Sequence, residues 1–247
     1  MIRWVTALLL LATPVRAADL TVLTAGAFKP AAAALVPSFE AQTGNHLTLR
    51  NDTVGALLRR IEAGEHFDIV LLSSTGLESL AKSGKIVPGS ATNLAKVGIG
   101  VAVKTGAPAP DISTVAAFRA TMLNAGSVAR IDPASGGSSG IYVAKLFQTL
   151  GIAAAMAPKS VLVKGGLAAE PVANGQAEIV VHQISEIIAV PGVTLVGPLP
   201  PEIQNETTYA GAISSASSAP DAARAFLTHL SSPAAQAVLT EKGMVPP

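Results

Sequence analysis

The sequence contains no cysteine, only 4% of its residues are aromatic, and 13% are charged. The first absence excludes a disulfide framework and every thiolate-rich metal site. A chain of 247 residues can do without such staples, because a core of that size buries enough apolar surface. Few aromatics and a formal net charge of +1 leave no electrostatic footprint for nucleic acid. His46, His66, His182 and His229 are scattered without the spacing of a metal site. The Gly-rich stretches lack the Lys-Ser/Thr pair of a nucleotide-binding P-loop, so neither a metal nor a cofactor is expected. Beyond the first residues no apolar run reaches the about 20 residues of a bilayer-crossing helix, and no membrane-spanning segment is expected.

The N-terminal residues read as a targeting segment rather than as part of the fold. Arg3 supplies a positive start, residues 4–12 are an almost unbroken apolar run, and Val15-Arg16-Ala17 offers small residues to a signal peptidase. That run is too short to cross a bilayer. Residues 1–17 are therefore expected to be a cleaved signal, and the mature chain a monomer of the periplasm. Without Arg3 and Arg16 the chain carries 15 basic against 16 acidic side chains.

Short apolar runs that suit buried strands alternate with helical patterns along the rest of the chain. Strands are expected at residues 20–24, 47–50, 67–72, 97–104, 128–131, 160–163, 179–182, 193–196 and 207–213. Helices are expected at residues 30–42, 54–63, 77–82, 114–124, 140–150, 167–174, 221–230 and 233–242. Pro37 inside the first helix predicts a kink or a later start. The last helix is framed by Ser232, Pro233 and Gly243, which suit its cap, its first turn and its end. Strands alternating with helices imply βαβ units, hence an α/β fold with mostly parallel sheets flanked by helices. So many strands suit two α/β lobes better than one sheet. Seams near Val103-Lys104 and Tyr209-Ala210-Gly211 would give a discontinuous lobe I, residues 18–103 and 211–247, and a lobe II, residues 104–210.

The stretch DPASGGSSGIY, residues 132–142, asks for a chemical explanation. It can be a flexible loop, a catalytic serine turn, or a cradle for an anion. Gly136-x-Ser138-x-Gly140 fits the nucleophile-elbow pattern, with Glu170 and His182 following in order, but four residues intervene between Ile131 and the Gly136 turn. The cradle reading rests on the free amides and partial positive charge of a helix start, with hydroxyls from Ser138 and Ser139. Three further turns before helices carry small or hydroxyl-bearing residues: Gly26-Ala27-Phe28, Asp52-Thr53-Val54-Gly55 and Ser73-Ser74-Thr75-Gly76. Four such turns match the rule that α/β proteins bind ligands outside the carboxyl ends of their strands. His182 ends a buried run and is followed by Gln183, Ser185 and Glu186; it reads as a site residue or a hydrogen-bonded core histidine. Arg50, Arg59, Arg60 and Arg130 are candidate carboxylate clamps.

Five stretches carry a family resemblance: LTVLTAGAFKPAAAALVPSFEAQTG, LLRRIEAGEHFDIVLLSS, DPASGGSSGIYVAKLFQTLG, NGQAEIVVHQISEI and AARAFLTHLSSPAAQAVLTEKG. In that order they resemble the molybdate-binding branch of the type 2 periplasmic solute-binding proteins of ABC transporters. The resemblance implies two α/β lobes joined by two crossover strands, a ligand in the cleft, and delivery of that ligand to a transporter permease. It implies ligand contacts from Ala27, Thr53, Ser138 and Ser139, Gly165, and His182, to which the turns before helices add Gly26, Val54, Ser73 and Ser74 as candidates. Ala27 stands where the molybdate pattern has a serine, Thr53 where it has serines, and His182 where it has a tyrosine. The stretch GQAEIVVHQISEI resembles instead a subset near aconitate isomerase, which acts on an unsaturated tricarboxylate. Two functions follow. One is an exported binding protein for a small polyanion, either an oxyanion or a di- or tricarboxylate. The other is an isomerase on the same scaffold, with His182 or Glu170 as general base.

Overall fold

Among the described residues, alternating apolar runs become ten strands and ten α-helices, joined by short turns. The structure is a computed structural model that describes residues 17–247; the expected signal, but for its last residue, lies outside the described residues. The chain begins with β1 (Asp19–Ala25), α1 (Lys29–Thr43), β2 (His46–Asp52), α2 (Val54–Glu62), β3 (Ile69–Ser73), α3 (Ser74–Lys82) and β4 (Thr92–Val97). There follow β5 (Ile99–Lys104), α4 (Val115–Asn124), β6 (Val128–Ile131), α5 (Ser138–Thr149), α6 (Ala153–Met156), β7 (Ser160–Val163), α7 (Glu170–Ala173), β8 (Ile179–Gln183), α8 (Ile184–Ile187) and β9 (Val193–Pro198). The chain closes with β10 (Thr207–Ile213), α9 (Pro220–Leu230) and α10 (Pro233–Glu241).

The strands form two sheets, in the orders β2-β1-β3-β10-β4 and β7-β6-β8-β5-β9. In each sheet one strand, β10 or β5, runs antiparallel to both neighbours, and the others are parallel. β3 and β8 sit at the centres and are buried at every position. Such strands read as unbroken apolar runs because helices cover both faces of the sheet. In the second sheet Val101, Val128 and Val181 face one core, while Ala102, Ala129 and Val180 face the other. α9 and α10 return to the first lobe, where Phe226 meets Phe39 edge-on at 5.0 Å between ring centroids.

Three expectations are corrected here. α1 starts at Lys29 and runs past Pro37; both Pro37 and Ala33, whose carbonyl the proline leaves without its amide, are exposed. Water can therefore satisfy the freed carbonyl. The expected strand at residues 97–104 is two strands in different sheets, interrupted at Gly98. The lobes therefore exchange at Gly98 and within residues 199–206, not at the seams read from composition, both of which fall inside strands. Gln204 staples the two crossovers: its amide accepts from the Ile99 N–H at 2.8 Å and donates to the Ile99 carbonyl at 2.9 Å. Finally, the helix expected at residues 167–174 shortens to α7, which starts at Glu170 and so keeps Pro171 in its first turn, where a missing amide costs nothing.

Candidate functional site

The stretch from Asp132 to Tyr142 is a built helix start. The Asp132 carboxylate accepts from the Ala134 amide at 2.9 Å and begins a single 3-10 turn. Gly136 then takes φ +79°, a conformation that favours glycine. α5 starts at Ser138 with no side-chain cap on its first turn. A Cβ on Gly140 would meet the Ile131 carbonyl oxygen at 2.6 Å, so α5 seats directly on the end of β6. Its uncapped amides carry the helix's partial positive charge toward the space in front of them. The 3-10 turn separates Ser138 from β6, so the G-x-S-x-G serine is not at an elbow.

That space is a cavity of about 250 Å³ between the two lobes. Lobe I contributes Gly26, Ala27, Lys29, Asp52, Thr53, Val54 and Tyr209; lobe II contributes Ser138, Ser139, Leu167, His182, Gln183 and Glu186. Polar groups therefore face each other across walls that also include Ala25, Pro30 and Ile131, as ligand sites generally do.

His182 anchors the lobe II wall. Its ring is 1% exposed, with Nδ1 2.9 Å from the Ser139 hydroxyl and Nε2 3.2 Å from Glu186 Oε2. The second contact is close enough for an ion pair but is not aligned as a hydrogen bond. The i,i+4 spacing places both side chains on one side of the turn from β8 into α8. Glu186 in turn abuts Gly26, where a Cβ would lie 2.5 Å from Oε1, so any larger residue there would push the carboxylate aside. Opposite stands Tyr209, 1% exposed, whose phenol donates to Gln183 Oε1 at 3.0 Å. Burial, reinforced by the charge of Glu186, pushes this phenol well above its ordinary range, so it stays a neutral donor.

The lobes touch directly around the cavity. The Thr53 hydroxyl donates to the Ser135 carbonyl at 2.6 Å, and the Gly55 amide donates to the Gly136 carbonyl at 3.0 Å. Gly55 and Gly136 meet backbone to backbone, with no space for a Cβ on either. The Ser185 hydroxyl donates to the Ala27 carbonyl at 2.8 Å. Thr53 also caps α2 by accepting from the Ala56 amide, so its hydroxyl joins the lobes.

Of the residues expected in a site, Gly26, Ala27, Thr53, Val54, Ser138, Ser139 and His182 line this cavity. The others do not. Ser73 caps α3 through the Gly76 amide, and Ser74 bonds to Asn93 and the Thr208 carbonyl. Gly166, the residue after Gly165, lines the cavity instead. Glu170 lies exposed in the first turn of α7, outside the lining, which removes it as a candidate base. None of the four candidate arginines lines the cavity. Arg50 and Arg60 pair with Glu65, and Arg60 also with Asp52. Arg130 donates to Ser160 and lies 5.7 Å over the Phe147 ring. Glu186, Gln183 and Lys29 were not assigned to the site from sequence, although the His-x-x-x-Glu spacing was available as a signal. Tyr209 left none, since β10 reaches the cavity only through long-range pairing.

Among the described residues no three His, Asp or Glu side chains could share a metal, and no helix is long and apolar enough to cross a membrane. The chain is 36% identical to an aconitate isomerase of Pseudomonas sp. over 97% of its own length and 94% of that protein. Its fold matches the periplasmic molybdate-binding protein of Azotobacter vinelandii with TM-score 0.77, at 19% identity over 92% of this chain and 99% of that one. It matches the sulfate-binding protein SubI of Mycobacterium tuberculosis with TM-score 0.75, at 18% identity over 93% of this chain and 87% of that one. Residues 20–245 fit the model of the bacterial extracellular solute-binding proteins, and the chain belongs to that family.

Proposed function

We propose that the protein binds an unsaturated tricarboxylate between its lobes and moves a proton between two of its carbons, as an aconitate isomerase would. The observation that carries this reading is the buried His182 ring, held between Ser139 and Glu186 on the wall of the cavity between the lobes. The aconitate isomerase relative supports it.

The chemistry follows from the arrangement. Glu186 beside Nε2 favours the tautomer with its proton on Nε2 and its lone pair on Nδ1. Before the ligand arrives, the Ser139 hydroxyl donates to that lone pair. A carboxylate at the first turn of α5 competes for the hydroxyl and frees Nδ1 as a base. Nδ1 then takes a proton from the methylene between a carboxylate and the double bond. The electron pair spreads over the allyl unit and its carboxylate. The same proton returns to the far carbon, the double bond shifts, and no atom is gained or lost. The α5 amides stand at the cavity and Lys29 lines it, and both would stabilise the developing charge.

Proton NMR of trans-aconitate incubated with the purified protein in D2O is the test. The expected result is the cis isomer, with deuterium entering wherever the base exchanges its proton with solvent. Absence of conversion above the uncatalysed rate overturns the proposal.

Family membership favours a second reading: an exported protein that holds a polyanion for delivery to an ABC transporter permease. Tight binding of trans-aconitate, citrate, molybdate or sulfate without turnover would select it. Binding of none would remove both readings.

A further inference from the structure

Gln183 has a feature that the proposed chemistry does not use. It is 2% exposed, lines the cavity, and its amide nitrogen is buried without a hydrogen-bond partner. Buried amide donors are almost always paired, so an orphan on a residue that lines a cavity marks the place of an acceptor. The other end of the amide is occupied, since Oε1 accepts the Tyr209 phenol at 3.0 Å. We infer that Gln183 Nε2 holds one carboxylate of the ligand, and that Tyr209 is the positioning residue that keeps the nitrogen of this amide turned toward it.

The placement supports the assignment from both sides. Gln183 is the last residue of β8 and the cap of α8, where the backbone bends at φ −62° and ψ 135°. Neighbours in a continuing strand point to opposite faces; at this bend His182 and Gln183 both line the cavity. A carboxylate on the Gln183 nitrogen therefore sits beside the imidazole proposed as the base. A neutral N–H donor matches a carboxylate without adding charge to a wall that already carries Glu186.

Tyr209 belongs to β10 of the first sheet and Gln183 to β8 of the second. Their hydrogen bond bridges the lobes beside the two crossovers, since Gln183 pairs with Ile99 and Tyr209 follows residues 199–206. The orientation of a lobe II amide is therefore set by a lobe I side chain. The Tyr209 ring packs 6.3 Å from Phe28, which restricts it to that approach.

The inference rests on the proposed polycarboxylate site, and a double-mutant cycle read by calorimetry tests it. The probes are trans-aconitate and citrate, against the wild type, Gln183→Met, Tyr209→Phe and the double variant, with ligand-free melting measured in parallel. Loss of a hydrogen bond to a charged group weakens Gln183→Met about 10-fold or more. Tyr209→Phe is expected to weaken binding about 3- to 10-fold in the wild type and to change nothing further in the Gln183→Met background. A purely structural tyrosine weakens both backgrounds equally, and that result overturns the positioning role. Wild-type affinity in Gln183→Met means that water, not a ligand, meets the nitrogen, and overturns the assignment. Gln183→Glu is nearly isosteric and replaces the donor by a carboxylate; it serves if the Met variant does not fold, and undiminished binding by it overturns the assignment equally. If the wild type binds citrate but does not turn over trans-aconitate, the isomerase reading falls alone and the cycle is decided on citrate. If it binds neither, both fall together.

Discussion

Replacing Gly55 by alanine separates lobe closure from folding. Gly55 lies in the first turn of α2 with an ordinary helical backbone, so alanine fits the helix. Its Cβ, however, would lie 2.8 Å from Gly136 Cα and 3.2 Å from the Gly136 carbonyl oxygen in the other lobe. Reaching ordinary contact at 3.4 Å requires the two backbones to part by about 0.6 Å. That shift stretches the Gly55–Gly136 hydrogen bond from 3.0 Å beyond useful range and disturbs the Thr53–Ser135 bond beside it. Two bonds at about 0.5–1.5 kcal/mol each put the loss near 1–3 kcal/mol, or roughly 5- to 150-fold in any affinity that depends on closure. In the helix, alanine in place of glycine gains about 0.5–1 kcal/mol, worth about 1–4 °C of melting temperature in a chain of this size. The variant should therefore melt slightly higher and bind trans-aconitate more weakly. Calorimetry reads the affinity, differential scanning calorimetry the stability, and small-angle scattering a larger radius of gyration. Unchanged affinity and unchanged radius would show that the Gly55–Gly136 contact contributes nothing to closure.

Other perturbations follow from the same geometry. His182→Asn removes the base while keeping a polar side chain; turnover of trans-aconitate should fall by about 100-fold or more with a small change in affinity, and a selective loss of affinity would make His182 a binding group instead. Asp68 is 3% exposed and accepts from the Thr21 amide at 2.9 Å and the Ser217 hydroxyl at 2.7 Å. Asp68→Ala strands both donors, at about 2–4 kcal/mol or roughly 4–16 °C in melting temperature; a drop under 2 °C (about 1 kcal/mol or less) would show that water replaces the carboxylate. The Arg60 guanidinium, bonded to Glu65 at 2.5 and 2.6 Å, holds that carboxyl below its usual range. A depressed folded value means that the stabilisation is present above the unfolded value of about 4.3 and is lost as pH falls through the folded one. Solvent screening limits it to about 1 kcal/mol or less, so Glu65→Gln should narrow the stability gap between pH 6 and pH 3, and a gap as wide as the wild type's would rule the pair out.

Much of the fold was legible in the chain because it depends on local patterns. Runs such as IVLL in β3 and IVV in β8 are apolar on both faces, which only a sheet covered twice requires. Caps such as Thr53, Thr114 and Ser232 bond to the amide three residues on, and so could be read in place. Where the chain changes lobes was not legible. The strand expected at residues 97–104 showed no break, and one Gly98 between two sheets has no local signature.

The site divides the same way. A helix start rich in Gly and Ser after β6, and a histidine directly after the apolar run of β8, are local features, so Ser138, Ser139 and His182 could be picked out as candidates from the chain alone. The His182–Glu186 spacing was equally local and pointed to a shared face. What those groups meet was decided by tertiary structure alone. The Ser139–His182 bond spans 43 residues and the Thr53–Ser135 bond 82, and Tyr209 reaches Gln183 only because β10 returns antiparallel beside β3. Glu170 shows the converse, since chain order put it between the serine and the histidine and folding left it on the surface. Side-chain type and short-range hydrogen bonding act within a few residues. Which turns face each other across a cleft depends on sheet order, and that is settled by the burial of both cores together.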